Sequence, residues 1–282
     1  MIKRFLALDK PRDQPSQVIH GVAFRLKVGF SPKPQERRIE QPMNLEEVKK
    51  NFPASVSEIE TLESLGFASR SYGWIDSLDS EKAQTACWLI GKIGDARDAD
   101  VLISLLSGQR SELWMQVAVS LSVIATEKHL IFLSSILATS SDPVQRSSVV
   151  YALSFLSNCE GNQEVINTLT DIAANNSEAP SVRAQASEGL GNQLSQKSLP
   201  TLYQRAVSVI IQALDNSEAE VRFWDCFAVA AIKIKEALPK LQVLAQTDRT
   251  IVAGWWSVGE EAEDSITLMN GGDPPLRKPH DC

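Results

Sequence analysis

The side chains that most often carry acid–base chemistry are few in this 282-residue chain. Its three histidines are far apart, and of these His129 alone lies in the helical part of the sequence. No serine, cysteine or aspartate is spaced around His129 in a way that would activate a nucleophile. We expect His129 to be a surface residue at the start of a helix, and the pattern predicts no catalytic residue.

A run of carboxylates near the C-terminus could suggest a metal site. It spans residues 260–264 and contains three glutamates and an aspartate. Neighbouring residues of a helix point in different directions, so these acids would not converge on one ion. We therefore expect Glu260, Glu261 and Glu263 to form a solvated helix face, and we predict neither a metal nor a cofactor.

Tryptophan is the residue type with the clearest potential for binding a partner. Five tryptophans lie in or beside helical patterns, namely Trp88, Trp114, Trp224, Trp255 and Trp256. This side chain is enriched at binding hot spots, but it also packs between helices. Both interpretations stay open, and they are evenly balanced for Trp224, which lies near a helix start beside Arg222.

The cysteines and the charge balance limit the class of protein. Cys87, Cys159, Cys226 and Cys282 are too widely spaced for a zinc site or a disulfide framework, which is typical of a reducing compartment. The first forty residues have nine Lys and Arg against four Asp and Glu, whereas the rest of the chain has a net charge of −12. An acidic body argues against nucleic acid and favours a protein partner. No signal peptide or membrane span is indicated, so we expect a cytoplasmic protein.

The elements that position these residues belong to an imperfect repeat from about Ser80 to Asp248. One helical pattern returns five times, at steps of 31, 32, 37 and 39 residues. The equivalent positions are Ala83, Trp114, Arg146, Arg183 and Arg222. A period of this size predicts an all-α solenoid of about five stacked helix pairs.

The repeat predicts where the helices begin and end. The first helices of the pairs are expected at 80–93, 111–125, 143–157, 180–193 and 218–234. The second helices are expected at 98–107, 128–138, 163–174, 199–214 and 238–245, and a final helix at 258–269. Sequences such as Asp142-Pro143 and Ala179-Pro180 are typical of helix starts.

Two sets of repeated residues indicate how the helices pack. Small residues let the first helices approach one another closely, and they are Ala86, Ala118, Ala152, Ala186 and Ala228. Arginines recur near the start of the third, fourth and fifth first helices, where a guanidinium could bond a carbonyl or carboxylate of the adjacent repeat. Because Ala83 and Trp114 replace arginine in the first two copies, we expect this arginine ladder to be interrupted there.

The chain divides into five parts. Residues 1–43 are a basic, proline-rich extension, 44–78 are capping helices, and 79–248 are the repeat array. Residues 249–270 form a C-terminal capping helix, and 271–282 form a flexible tail that is disordered or lies along the array.

A β-strand is predicted within the extension, at residues 22–30. Apolar residues alternate there with small or basic ones, which is the pattern of a half-buried strand. Because a lone strand is unstable, it pairs either with residues 3–8, at a small entropic cost, or with another chain. Pairing in trans, which could include a homodimer, would make a docking element of Phe24, Arg25, Leu26 and Lys27.

The residues of the array resemble a known family. The string Ala86-Cys-Trp-Leu-Ile-Gly91-Lys-Ile-Gly94-Asp95, continued to Leu106, is similar to the HEAT repeat of the phycobilisome-lyase (PBS lyase-like) type. Segments 180–191, 220–230 and 256–264 share the likeness, which covers roughly residues 80–269. It implies a right-handed α-solenoid of about five HEAT-like helix pairs, a fold found in bilin lyase subunits and in many scaffolds and adaptors.

The resemblance also implies a binding surface, because the second helices line the concave groove in that fold. Carried over to this chain, the candidate groove residues are Arg97, Asp100, Ser104, Gln163, Asn167, Tyr203, Gln204 and Gln212. They are polar, neutral as often as charged, and include one aromatic. This composition suits recognition of a folded protein or an extended peptide.

We therefore predict a non-catalytic protein–protein interaction scaffold or adaptor that needs no cofactor. The alternative is a bilin lyase or lyase-like chaperone acting on a phycobiliprotein, which would bind a tetrapyrrole among aromatic and basic side chains. A HEAT-like nucleic-acid-binding enzyme is a third hypothesis, which the acidic array disfavours. The oligomeric state is not predicted.

Overall fold

The computed structural model of the chain describes residues 43–70, 72–156, 161–194 and 198–279. Within these ranges the fold is all-α, apart from an isolated antiparallel bridge between Ile251 and Ser257. The predicted strand at 22–30, with its docking residues Phe24 to Lys27, lies outside the described residues. Its pairing in cis or in trans therefore stays a prediction.

Thirteen α-helices are present in the described residues. In chain order, α1 to α13 are Leu45–Asn51, Val56–Ser64, Ser80–Ile93, Ala99–Ser107, Ser111–Ile124, Leu130–Thr139, Pro143–Ser154, Gln163–Ala174, Pro180–Gln193, Pro200–Ala213, Ala219–Ile232, Leu238–Thr247 and Val258–Met269. Every array helix begins and ends within three residues of its predicted limits. The helical repeat is thus confirmed.

Local side-chain chemistry explains several of the helix starts. Asn44 forms a capping box with Glu47 before α1, and Ser257 forms one with Glu260 before α13. The Asp79 carboxylate accepts the backbone N–H of Lys82 at 2.9 Å at the start of α3. Each cap satisfies a backbone donor that has no partner within the helix.

The helices belong to two compact units, which divide in the sequence after Ala152, inside α7. Among the described residues, unit 1 contains 43–152 and unit 2 contains those from 153 onward. We call α3, α5, α7, α9, α11 and α13 the first helices, and α4, α6, α8, α10 and α12 the second helices.

In unit 1, the first helices α3 and α5 are in direct contact. A Cβ atom placed on Gly91 would lie only 3.0 Å from the Cα atom of Ser120. The Ser120 hydroxyl donates to the carbonyl oxygen of Cys87 at 2.8 Å. Ala86 and Ala118 are fully buried. The small residues of the repeat therefore permit close helix packing, as predicted.

The first helices of unit 2 pack in the same way. A Cβ atom placed on Gly191 of α9 would lie 3.2 Å from the Cα atom of Ala228 in α11. In each unit the second helices contact one another less extensively than the first helices do. The first helices therefore form the more closely spaced of the two layers.

The predicted arginine ladder is present, and its arginines donate hydrogen bonds to carbonyl oxygens at the ends of second helices. Arg146 donates through Nη1 to the carbonyl oxygens of Leu137 at 2.5 Å and Ser140 at 3.0 Å. Arg183 donates through Nε to the carbonyl oxygen of Ala173 at 3.2 Å. These carbonyls lie in or just beyond the last turn of the preceding second helix, where acceptors lack intrahelical donors. A cation at this end also interacts favourably with the helix dipole.

The ladder is not interrupted at Trp114, contrary to the sequence-based expectation. The indole Nε1–H donates to the carbonyl oxygen of Gly108 at 3.2 Å. The bond spans six residues, the same separation as the bond from Arg146 to Ser140. An indole N–H thus takes the place of a guanidinium N–H. The side chain of Ala83 offers no donor, and the ladder does stop there.

The sequence predicted that Glu261 lies on a solvated face of α13, and this prediction is wrong. This side chain is 1% exposed, and it accepts a hydrogen bond from Nε1 of Trp256 at 2.9 Å. Burial raises the pKa of Glu261 well above its usual range. A hydrogen bond from the neighbouring indole partly compensates for this burial, which the charge pattern alone does not reveal.

The other acids of α13 are bridged by an arginine from the tail. Arg277 donates to Asp264 at 2.8 Å, to Glu260 at 3.0 Å and to Glu263 at 3.0 Å. The Arg277 side chain is 14% exposed and that of Asp264 is 8% exposed. The tail around residue 277 therefore lies against α13, and a face that looked solvated in the sequence is largely ion-paired.

Asp225 in α11 is a buried carboxyl group without a hydrogen bond of normal geometry among the described residues. Burial raises its pKa well above the usual range, although the Ser187 hydroxyl and the Arg183 guanidinium favour the ionised form. The repeat-equivalent positions are all apolar and fully buried, namely Ala86, Val117, Val149 and Ala186. Asp225 thus occupies a core position, where its carboxyl group opposes folding.

We expect Asp225→Val to raise the free energy of unfolding at pH 8 by about 1–3 kcal/mol, because the substitution removes a buried unsatisfied group. The folded-state pKa lies above the unfolded one, so ionisation costs stability as the pH rises from about 4 through the folded pKa. The gain should therefore be larger at pH 8 than at pH 4. Urea unfolding at both pH values measures it, with Asp100→Val at an exposed site as the control. Equal stability of wild type and Asp225→Val at pH 8 would contradict the prediction.

Candidate functional site

The eight predicted groove residues lie on second helices or immediately before one. Unit 1 contains Arg97, Asp100 and Ser104, and unit 2 contains Gln163, Asn167, Tyr203, Gln204 and Gln212. Asn167 and Tyr203 are half-buried, and the other six residues are exposed. In unit 2, α8 and α10 pack together, which brings five of the eight onto two neighbouring helices. Their role in binding stays a prediction.

Arg97 takes part in an ion-pair network between α3 and α4. Its guanidinium donates to the Asp95 carboxylate at 2.6 and 3.0 Å, and Arg70 donates to the same carboxylate at 2.9 Å. These bonds, with that from Arg97 the strongest, hold the pKa of Asp95 well below its usual range. Arg97 remains 80% exposed, and so exposed an ion pair contributes little to stability. Its guanidinium therefore remains accessible to a partner.

Tyr203 and its neighbours give α10 a mixed polar surface. Burial raises the pKa of Tyr203, so the phenol stays neutral at physiological pH. Arg205 on the same helix forms an ion pair with Asp171 of α8, and both side chains are largely exposed. The surface can exchange hydrogen bonds with a partner, but it offers no group activated for catalysis.

His129 lies at a helix start, as predicted, but it is not a surface residue, because it is 6% exposed. It lies at the end of the 3-10 turn before α6, where its Nδ1 accepts the backbone N–H of Thr126 at 2.9 Å. Its Nε2 lies 3.9 Å from Oδ1 of Asp100. Histidine here completes a helix cap, a structural role that single-sequence patterns associate with Glu or Gln.

Thiol and metal chemistry are not supported by the described residues. Cys87 and Cys226 are buried free thiols. Burial raises the pKa of Cys87 to about 12 and that of Cys226 well above its usual range, so neither forms a reactive thiolate at neutral pH. Across the described ranges, no group of three His, Cys, Asp or Glu side chains could hold a metal ion.

The structure resolves most of the tryptophan alternatives in favour of packing. Trp224 is 3% exposed and packs edge-on against Trp255, with ring centroids 5.3 Å apart. Trp255 and Trp114 are also buried. Trp88 and Trp256 are half-buried, so the binding interpretation stays open for these two.

One surface on the first helices of unit 1 combines three apolar residues with a lysine, and of these residues the sequence analysis singled out only Trp88. Val119 and Val123 lie one turn apart on α5, and Val123 is 54% exposed. Trp88 and Lys92 occupy the repeat-equivalent positions on α3. We call these four residues the first-helix face. Comparison of successive repeats at the position of Trp88 could have found it, because the equivalent residue in the next copy is also apolar.

The capping segment before α2 borders this face at α3. Phe52 packs edge-on against Trp88, with ring centroids 5.1 Å apart, and Nζ of Lys92 lies 5.5 Å from the centre of the Phe52 ring. The backbone N–H of Met43 donates to the carbonyl oxygen of Lys92 at 3.0 Å. The described chain therefore begins beside the first-helix face.

Comparison with known proteins finds helical repeat structures and no named family. No protein-family model and no curated protein matches the chain, so the phycobilisome-lyase resemblance gains no support beyond a helical repeat. Solved structures that are similar include a designed armadillo repeat protein at 17% identity and TM-score 0.38, covering 73% of this chain and 99% of that one. Another designed armadillo repeat protein, in complex with a peptide, matches at 16% identity and TM-score 0.40, covering 73% and 98%. An engineered protein matches at 18% identity and TM-score 0.40, covering 69% and 94%.

None of the described helices combines the length and apolar character that crossing a membrane demands.

Proposed function

We propose that the chain is a non-catalytic protein–protein interaction scaffold that binds its partner through the first-helix face of unit 1. The observation that carries the proposal is the first-helix face of unit 1. There, exposed Val123 and half-buried Trp88 and Val119 lie on helices that are anchored by close backbone packing. A rigid apolar strip next to polar residues is typical of a protein-binding surface.

The packing within unit 1 supports the first helices as the layer that presents this surface. The first helices pack closely through positions such as Gly91 and Ser120, whereas the second helices contact one another less. The eight candidates on the second helices form a competing surface.

The experiment compares the intact protein with Val123→Glu and with Ser104→Glu, which tests the competing surface on α4. Each protein is used for affinity capture from a lysate of its source cells, with mass spectrometry and an absorption spectrum of the eluate. A carboxylate placed in an apolar contact should weaken capture of a stoichiometric protein by about tenfold or more for Val123→Glu and leave Ser104→Glu unaffected.

Other outcomes would contradict this proposal. Loss of capture with Ser104→Glu alone would assign binding to the second helices. A coloured eluate that contains a phycobiliprotein or bilin would support the lyase alternative, in which the tetrapyrrole is a cofactor.

A further inference from the structure

We propose that three carboxylates of α13 form a binding site for an arginine side chain of a protein partner, and that Arg277 of the C-terminal tail occupies this site in cis. We call these carboxylates, which belong to Glu260, Glu263 and Asp264, the α13 acid cluster. The site lies in unit 2, so it adds a second contact to the proposed function and does not depend on the first-helix face.

The geometry of the α13 acid cluster is specific for a guanidinium. Arg277 donates through Nε to Oδ2 of Asp264 and through Nη2 to Oδ1, both at 2.8 Å. Nη1 donates to Glu260 and Nη2 donates to Glu263, each at 3.0 Å. All three nitrogens are bonded, and two of them form a bidentate pair with one carboxylate. A lysine ammonium has a single nitrogen and cannot reproduce this arrangement.

The burial of the cluster explains why it needs a cation. Asp264 is largely buried, and burial raises its pKa although the bonds from Arg277 favour the ionised form. A carboxylate left unpaired at this depth would be strongly unfavourable. Glu263 is 51% exposed, so the site is open to solvent on one side. Because three carboxylates face one guanidinium, the surface around the site stays acidic, which favours a basic partner.

The tail is attached to this site through one side chain. The backbone N–H groups of Gly271 and Gly272 donate to the carbonyl oxygens of Leu268 and Thr267 at the end of the helix. From residue 273 to residue 279, only Arg277 bonds to the described helices. A segment without other bonds can open locally when a second arginine replaces Arg277 in the site.

The test measures binding of a short synthetic peptide, with one arginine between glycine and serine residues, to the full chain. We expect Arg277→Ala to bind it about tenfold or more tightly than wild type, in which the tethered Arg277 competes at an effective concentration on the order of 1 mM. In wild type, bound peptide should shift the NMR signals of residues 273–279 toward those of a released tail. A peptide with lysine in place of arginine should bind about tenfold more weakly.

Further variants locate the bound peptide. Added to Arg277→Ala, Asp264→Asn should weaken binding about tenfold, because it removes the charge of the bidentate partner, whereas Asp100→Asn on α4 should have no effect. Arg277→Lys keeps the positive charge but lacks the fork, so it should bind the arginine peptide with an affinity between those of wild type and Arg277→Ala. Circular dichroism of each variant verifies that it is folded.

Other results would overturn the inference. These are equal affinities of wild type and Arg277→Ala, equal affinities for the arginine and lysine peptides, and unchanged tail signals when the peptide binds to wild type. A wild-type dimer that Arg277→Ala abolishes would assign the site to the tail of a second copy and not to a partner. Val123→Glu should leave peptide binding unchanged, so this inference and the proposed function can fail separately.

Discussion

Arg222→Ala is expected to lower the free energy of unfolding by about 3 kcal/mol, because it leaves a largely buried carboxylate without its cation. Arg222 donates to Oδ2 of Asp248 at 2.8 Å, and these two side chains are 13% and 10% exposed. It also donates to the carbonyl oxygens of Asn216 at 2.6 Å and Ser217 at 2.9 Å. Alanine would remove all of these bonds. It would also remove the positive charge that interacts favourably with the C-terminal end of the α10 dipole.

Urea unfolding at pH 7 measures this effect, and Arg205→Ala is the matched control. Arg205 also forms an ion pair with an aspartate, but its side chain is 48% exposed and that of Asp171 is 62% exposed. Its loss should cost less than about 1 kcal/mol. Similar losses in the two variants would show that burial does not determine the contribution of Arg222.

The Arg222 prediction also has a pH dependence. Burial tends to raise the pKa of Asp248, but the hydrogen bonds from Thr250 and Arg222 outweigh it and lower the pKa. A folded-state pKa below the unfolded one contributes stability above about pH 4, and this is lost as the pH falls through the folded pKa. The difference between wild type and Arg222→Ala should therefore narrow in acid. A constant difference down to pH 2 would contradict the ion-pair explanation.

Gly91→Val is expected to destabilise unit 1 by about 3 kcal/mol. This value is near the upper end of the usual cost of inserting extra atoms into a well-packed contact. Even a Cβ atom at this position would lie 2.8 Å from Oγ, 2.9 Å from Cβ and 3.0 Å from Cα of Ser120. Because the Cα atom belongs to the backbone, a rotamer change cannot relieve the contact. Helices α3 and α5 would have to separate, and the bond from Ser120 to Cys87 would weaken.

Thermal unfolding of Gly91→Val and Gly73→Val tests this second effect. A Cβ atom placed on Gly73 would meet no heavy atom within 4 Å apart from its chain neighbours, so valine there should change stability by less than about 0.5 kcal/mol. In Gly91→Val, the additional replacement Ser120→Gly should recover part of the loss, because the two positions share one contact. If the losses of Gly91→Val and Ser120→Gly, each measured alone, simply add in the double variant, the clash with Ser120 is not the cause.

The repeat and its helices could be predicted because their signals are local. The helical period, a capping residue such as Asn44 and a small residue such as Ala86 each act within one helix or at one helix contact. Every array helix accordingly lies within three residues of its predicted limits. The carbonyl contacts of Arg146, Arg183 and Arg222 were also predictable, because the repeat period places an arginine next to the end of the preceding helix.

The candidate site was harder to predict, because its position depends on which helix of each pair presents the binding surface. The resemblance assigned the groove to the second helices and to residues such as Arg97 and Tyr203. The strip formed by Val119 and Val123 carries no polar pattern, so nothing in the composition singles it out. Its exposure follows from the way α3 and α5 pack, which depends on atoms more than thirty residues apart, as in the bond from Ser120 to Cys87.

The sequence by itself determined that this protein is an all-α repeat, where its helices begin and end, and which small residues and arginines recur. Tertiary structure alone decided the burial of individual polar groups. Glu261 is buried and bonded to Trp256, Asp225 occupies a core position, and Trp114 continues the arginine ladder. The physical reason is that helix formation depends on neighbours within about four residues, whereas desolvation depends on whatever the fold brings alongside.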